Sequence, residues 1–354
     1  MKKTVAVIFG GNSSEHEISL LSAGSVIKNI SDDKYNVILL GITKDGRWFK
    51  YDGDVNLIPN GEWVNSANKT PAFISPDSKI HGIVVMENPI KTIYLDAVFP
   101  VLHGKNGEDG SIQGLFKLAE IPYVGCDTTS SAACMDKAIT NALTDVAEIN
   151  QAKWVSFTNF EYKKDAEKCI KKSEKNLGYP VFVKPASAGS SVGISKAHNN
   201  EELIKAIDIA FKEDKKVVIE ENIDGYEVEC AVLGNDEPIA SVVGQIVPCN
   251  EFYDYEAKYS NPESKLHIPA LISEEKRNEV AAEAVRAYKA LGCEGLSRVD
   301  FFVTKADGKV LLNEINTIPG FTSISMYAKL FDASGIKYSE LIDRLFELAI
   351  ARDN

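Results

Sequence analysis

Residues 4–9, Thr-Val-Ala-Val-Ile-Phe, form an unbroken β-favouring run without polar alternation, as a strand buried on both faces requires. The run stops at Gly10-Gly11, and a helical stretch follows at about residues 19–29. Residues 37–42 read as a second strand, which Asp45-Gly46 turns into a hairpin with Arg47-Trp48-Phe49-Lys50-Tyr51. Residues 97–101 supply a third buried strand, ending at His103-Gly104. Strand–helix–strand order predicts an open parallel sheet, with ligands gathering beyond the carboxyl ends of its strands. Two lysines ahead of the first run mimic a secretion signal. The run is short and meets Gly10-Gly11-Asn12 with charges close behind, so a first core strand is expected.

At 354 residues the chain suits two or three fused subdomains. A seam falls near Val124-Gly125-Cys126, giving expected units at 1–126, 127–222 and 223–354. Residues 130–149 read as one helix rich in small residues. Residues 179–186 and 217–220 read as strands flanking a helix at 200–211, and 227–233 and 240–247 as further strands. A long polar stretch, 248–265, follows. Ser273 then caps a helix whose Val280, Ala281, Ala284, Tyr288 and Leu291 share one face, and Gly292 ends it.

No apolar run approaches the roughly 20 residues that cross a bilayer. The net charge of −12 argues against nonspecific nucleic-acid binding. Positive charge for an anionic substrate must therefore be concentrated locally. The six cysteines (126, 134, 169, 230, 249 and 293) include no C-x-x-C pair and read as reduced thiols of a cytosolic protein. Five histidines, none clustered with cysteine, give no zinc-site pattern.

The most informative segment is the hairpin at 297–316. Arg298 and Asp300 share one strand face, as do Glu314 and Asn316. A three-residue loop at 306–308 would set Asp300 opposite Glu314 and bring all four onto one surface. Two carboxylates and an amide are oxygen ligands for a hard cation such as Mg²⁺, which takes phosphate as further ligand and so implies a nucleotide. A polar outer face of an ordinary hairpin is the plain alternative. Asn316-Thr317-Ile318-Pro319-Gly320 leaves the strand in a tight loop whose N–H groups can face an oxyanion.

Upstream, residues 181–185 deliver Lys184, followed by Ala188-Gly189-Ser190-Ser191-Val192-Gly193. Small residues let backbone N–H groups approach phosphate while the lysine supplies charge. No G-x-x-x-x-G-K-[ST] run occurs, and a flexible turn has the same composition. Glu220 and Glu221 end another apolar strand, where an acid can accept from an adenine amino group; Glu227 can accept from ribose hydroxyls. A solvated strand end reads the same way.

In order along the chain, these features resemble an ATP-grasp enzyme. Gly10-Gly11-Asn12-Ser13-Ser14-Glu15-His16-Glu17-Ile18-Ser19 narrows the likeness to the D-alanine–D-alanine ligase family. So do His103-Gly104-Lys105-Asn106-Gly107-Glu108-Asp109-Gly110, Met135-Asp136-Lys137, Tyr253-Asp254-Tyr255-Glu256-Ala257-Lys258-Tyr259 and residues 313–322. The resemblance covers essentially the whole chain. It implies an α/β ATP-grasp fold, with an N-terminal open parallel-sheet domain and two α+β subdomains clamping ATP. The implied reaction joins two D-alanine molecules through an acyl phosphate, for peptidoglycan precursor synthesis in the cytoplasm. The family resemblance also implies a homodimer.

Carried onto matching positions, the resemblance gives Glu15 the first substrate's ammonium, with His103 nearby. Lys137, Lys184, Ser190, Ser191, Glu220, Glu221, Ile223, Glu227 and Lys258 would bind ATP. Asp300, Glu314 and Asn316 would hold two Mg²⁺ ions, with Mn²⁺ able to substitute. Arg298 and the Gly320 N–H would stabilise the oxyanion. Ser190, Tyr259 and Glu15 would link the phosphate loop to a closing lid at about 253–265 that excludes water. Lys258, Ser325 and the Met326 N–H would receive the second substrate's carboxylate. Plainer roles are a helix cap for Glu15, a solvated lysine for Lys137, a turn residue for His103 and a core aromatic for Tyr259. Related enzymes that take D-serine tend to carry Glu at position 257 and Arg at 326. Ala257 and Met326 stand here, and an apolar Met326 cannot select a hydroxyl, so D-alanine is favoured. The Lys258-Tyr259 pair likewise departs from the D-lactate pattern. Rival readings are another ATP-grasp ligase, a non-catalytic nucleotide-binding regulator, and an NAD-dependent oxidoreductase, the last lacking G-x-G-x-x-G.

Overall fold

The structure, a computed structural model, describes residues 2–189, 191–247, 265–322 and 324–352. Among the described residues three sheets form. The first contains β1 (Lys3–Gly10), β2 (Tyr35–Ile42), β3 (Trp48–Tyr51), β4 (Lys69–Ile74), β5 (Gly82–Val85), β6 (Lys91–Tyr94) and β7 (Ala97–Val101). Its order is β6-β5-β4-β3-β2-β1-β7. β1 runs parallel to β2 and β7, while every pair from β2 outward to β6 is antiparallel. The expected open parallel sheet is thus a mixed one. A parallel return needs a long crossover, which the helix His16–Asn29 supplies between β1 and β2. Most segments after β2 are too short for one and fold back as hairpins, while the longer connection at 52–68 holds only two short 3-10 turns, Val55–Leu57 and Glu62–Asn65, and also returns antiparallel. The helix begins three residues earlier than the apolar pattern suggests, directly after Glu15.

Gly10 turns out of β1 at φ +89°, and a Cβ there would lie 2.1 Å from the Ile42 carbonyl oxygen, so only glycine fits. β1 lies between β2 and β7, where the chain switches sides of the sheet. The Gly10-Gly11 turn and the loop after β7 therefore emerge side by side.

The second sheet, ordered β10-β9-β11-β8, joins β8 (Trp154–Thr158), β9 (Val181–Pro185), β10 (Ser195–Ala197) and β11 (Lys216–Glu221), all antiparallel. Leu203, Ala206, Ile207 and Ala210 of the helix Asn200–Glu213 pack beneath it. The single helix expected at 130–149 is two, Thr128–Met135 and Lys137–Val146. Asp136 breaks it: its carboxylate accepts from the N–H groups of Ala138 (3.1 Å) and Ile139 (3.2 Å), starting a new helix whose first residue is Lys137.

The third sheet, ordered β14-β13-β12-β15-β16, joins β12 (Gly225–Leu233), β13 (Ile239–Val247), β14 (Lys265–His267), β15 (Leu296–Thr304) and β16 (Val310–Asn316). The helix Glu274–Ala290, capped by Ser273 as expected, buries Val280, Ala284, Ala287 and Tyr288 against it. Each expected unit holds one sheet, yet the cores are not separate. Phe321 packs edge-on against Phe99 of β7 at 5.4 Å, and Phe346 of the helix Tyr338–Arg352 lies 4.9 Å from Tyr35 of β2. The chain's last helix thus closes over the first sheet. No helix among the described residues is long and apolar enough to cross a membrane.

Candidate active site

A cavity of 990 Å³ opens among the three sheets, lined among others by Glu15, Lys137, Lys184, Glu227, Arg298 and Glu314. Its floor is the β15–β16 hairpin. Arg298 pairs with Asn316 and Asp300 with Glu314, the register expected. The route to it differs. Val303 pairs with Val310 and the Thr304 N–H reaches the Lys309 carbonyl, so the loop spans four residues, 305–308. Phe301 then pairs with Leu312, leaving Asn313 as a bulge that restores the alignment.

On that floor the Arg298 guanidinium forks onto Asp300, with Nε and Nη2 each donating at 2.7 Å, and Nε lies 3.1 Å from Glu229 Oε2. Burial opposes its charge, but Asp300 and Glu229 outweigh burial and hold it firmly protonated. Asn316 Nδ2 donates to Asp300 Oδ2 at 3.2 Å.

Lys184 reaches the same space from β9. Its ammonium donates to Glu220 Oε2 at 2.6 Å and lies 3.5 Å from Asn313 Oδ1, while Asn141 donates to Glu220 Oε1 at 3.3 Å. Both Glu220 oxygens are thereby engaged, and its visible part is to hold Lys184. Glu221 accepts from the Lys153 N–H at 2.8 Å; Ile223, Glu227 and Ser191 line the cavity. Lys137 Nζ donates to the Ala188 carbonyl at 2.9 Å, tying the second helix start to the glycine-rich loop.

Glu15 is 7% exposed, and its side chain makes no capping bond to the helix it precedes. A Cβ on Gly189 would lie 2.4 Å from Glu15 Oε1, so the loop backbone rests directly on this carboxylate. His103 is buried with both ring nitrogens engaged, by Ser22 and by the Ile318 carbonyl. Ser325 Oγ accepts from the Thr322 N–H at 2.9 Å, and Met326 packs on Gly244 of β13 while lining the cavity. Ser190, Lys258, Tyr259 and the expected lid up to residue 264 lie outside the described residues.

Glu108, Asn141 and Glu229 also face the site and are not among the residues expected from the sequence. Glu229 was signalled by alternation, two residues from Glu227 on one strand face. Asn141 lies one helical turn after Lys137. Nothing in the spacing of Glu108-Asp109 says which acid turns inward. Burial, then the neighbouring Glu15 carboxylate, pushes the Glu108 carboxyl up to about 8, against lowering bonds from the Gly104 and Ile318 N–H groups. The fold therefore keeps a proton that the unfolded chain releases near its ordinary 4.5. Stability from this group is present below pH 4.5 and is lost as pH rises through 8. The melting temperature of Glu108→Gln minus that of the wild type should grow between those two pH values; a constant difference would contradict this.

A glycine-rich loop flanked by Lys184 and Lys137, an acid-ended strand and an oxygen-rich hairpin around one cavity describe a nucleotide-dependent enzyme of the ATP-grasp fold. Family models described as the D-ala D-ala ligase N-terminus and C-terminus match residues 4–126 and 143–347. The chain is 53% identical to a D-alanine–D-alanine ligase of Acetivibrio thermocellus, with 100% of this chain and 97% of that protein covered. It is 52% identical to the ligase so named in Clostridium novyi, with 100% of both covered. Among solved structures, the VanG D-Ala:D-Ser ligase from Enterococcus faecalis superposes with a TM-score of 0.91 at 46% identity, covering 99% of this chain and 100% of that one. The D-alanine–D-alanine ligase from Coxiella burnetii gives 0.86 at 34%, covering 99% and 95%. The chain belongs to the D-alanine–D-alanine ligase family.

Proposed function

We propose that this protein joins two D-alanine molecules at the expense of ATP, passing through D-alanyl phosphate, to supply the dipeptide of peptidoglycan precursors. The observation that carries the reading is the single face of Arg298, Asp300, Glu314 and Asn316, with Lys184 reaching its edge at Asn313. In the first step a carboxylate oxygen of D-alanine attacks the γ-phosphorus and ADP leaves. Lys137 and Lys184 would neutralise the phosphates, and Glu15 would hold the first substrate's ammonium. In the second step the amine of another D-alanine attacks the acyl carbon, loses a proton, and phosphate departs. Arg298 and the Gly320 N–H would hold the developing oxyanion. Lys258, Ser325 and the Met326 N–H would take the second carboxylate. Ser190 and Tyr259 would link Glu15 to a lid over 253–265 that keeps water from the acyl phosphate.

The donor types on the floor suit a hard cation: Asp300, Glu314 and Asn316 stand at paired positions on one face, with both Asp300 oxygens held by Arg298 and one also by Asn316 Nδ2. Two Mg²⁺ ions, or Mn²⁺, held there would neutralise charge on the transferring phosphate. Units at 1–126, 127–222 and 223–354, a homodimer and a cytoplasmic location complete the proposal.

D-serine as second substrate is the alternative, since the VanG enzyme is a D-Ala:D-Ser ligase. The thioether of Met326, packed on Gly244, offers a serine hydroxyl no strong partner. Purified protein given ATP with equal D-alanine and D-serine should release mainly D-alanyl-D-alanine by mass. Predominance of the mixed dipeptide would reverse the assignment, and release of neither would remove the ligase reading.

A further inference from the structure

Residues 318–321, Ile-Pro-Gly-Phe, follow β16 and hold their shape through side chains of the helix His16–Asn29 and of the loop after β7. The Ile318 carbonyl lies 3.1 Å from His103 Nδ1, and the Phe321 N–H donates to Ser22 Oγ at 3.3 Å. Ser22 Oγ in turn lies 3.1 Å from His103 Nε2. A carbonyl oxygen only accepts, so the ring carries its proton on Nδ1. Burial pushes the His103 pKa down to about 4, so the ring is neutral and Nε2 accepts from the Ser22 hydroxyl. The Ser22 oxygen keeps its lone pairs for the Phe321 N–H. A closed circuit, Ile318 to His103 to Ser22 to Phe321, therefore spans Pro319-Gly320. Ser22 is fully buried on the helix His16–Asn29, and the Tyr338 hydroxyl fixes the far end by donating to the Phe321 carbonyl at 2.6 Å.

We propose that Ser22 is a positioning residue for the amide-forming step, holding the Gly320 N–H on the oxyanion through His103 and the Phe321 N–H. This rests on the ligase reading and its assignment of Gly320. Ser22 lies behind the loop, so it shapes the donor's aim and leaves nucleotide binding alone. Loss of the hydroxyl leaves Nε2 and the Phe321 N–H unpaired and lets the loop shift, a displacement of the kind that costs about tenfold or more in rate.

The test compares wild type, Ser22→Ala and Ser22→Cys in two assays with D-alanine and ATP. Movement of ¹⁸O from the β–γ bridge of ATP to a non-bridging position reports reversible acyl phosphate formation, and dipeptide release reports the second step. Expected for Ser22→Ala is a fall in dipeptide kcat of about tenfold, an unchanged KM for ATP, and a rise of about tenfold in exchange per dipeptide. Ser22→Cys, which keeps the shape and a weak donor, should lie between, and carries the test alone should Ser22→Ala fail to fold. An unchanged kcat, or exchange and dipeptide falling in proportion, overturns the positioning role. A wild type with neither exchange nor dipeptide overturns the ligase reading and this role with it.

Discussion

Replacing Arg298 by methionine is expected to lower kcat by about 10²–10³-fold and to destabilise the fold at the same time. The guanidinium is the cation that Asp300 and Glu229 share, at 2.7 and 3.1 Å, and all three side chains are largely buried. Removing it takes the shared counter-charge from two buried carboxylates, which typically costs about 3–5 kcal/mol. The two effects separate in a double variant. Adding Glu229→Gln removes one of the two uncompensated charges, so denaturant midpoints should recover part of the loss. Activity should stay low, because no donor would face the oxyanion. Full activity in Arg298→Met would detach this residue from the chemistry, and recovery of kcat in the double variant would make its role structural.

Glu314→Ala is expected to reduce ligation by at least about 10³-fold while leaving the melting temperature within a few degrees. Glu314 faces the cavity from β16 opposite Asp300, and alanine there opens no void in the apolar core. The loss falls on the charge that positions the metal and phosphate. Raising Mg²⁺ should therefore fail to restore the rate, and nucleotide-dependent Mn²⁺ binding, followed by electron paramagnetic resonance, should weaken. Substantial turnover at saturating Mg²⁺ would contradict the metal assignment.

Much of this site was legible because strand alternation dictates which side chains share a face. Arg298, Asp300, Glu314 and Asn316 needed only period two and a hairpin. Even so, the expected three-residue loop and straight β16 were both wrong by one residue, and the Asn313 bulge cancelled the error. Bulges follow from packing and from partners such as Lys184, which lie 129 residues away in the chain. Glu220 illustrates the same limit: an acid ending a strand was visible, but not that Lys184 and Asn141 would occupy both of its oxygens. The antiparallel β2–β3 pair was visible in the Asp45-Gly46 turn, but the outward run through β4, β5 and β6 was hidden because a short apolar run carries no direction. The closure of Phe346 over β2 was hidden because helix periodicity names a buried face and not the surface that covers it, and that of Phe321 over β7 because it lies in a loop with no period at all.

In the proposed reaction a D-alanine carboxylate takes the γ-phosphoryl group before any amide forms. D-alanine labelled with ¹⁸O in both carboxylate oxygens tests this directly, with products read by mass. One labelled oxygen is expected in the released phosphate and one in the amide carbonyl. Dipeptide formed with unlabelled phosphate, or phosphate released with no dipeptide, would contradict it.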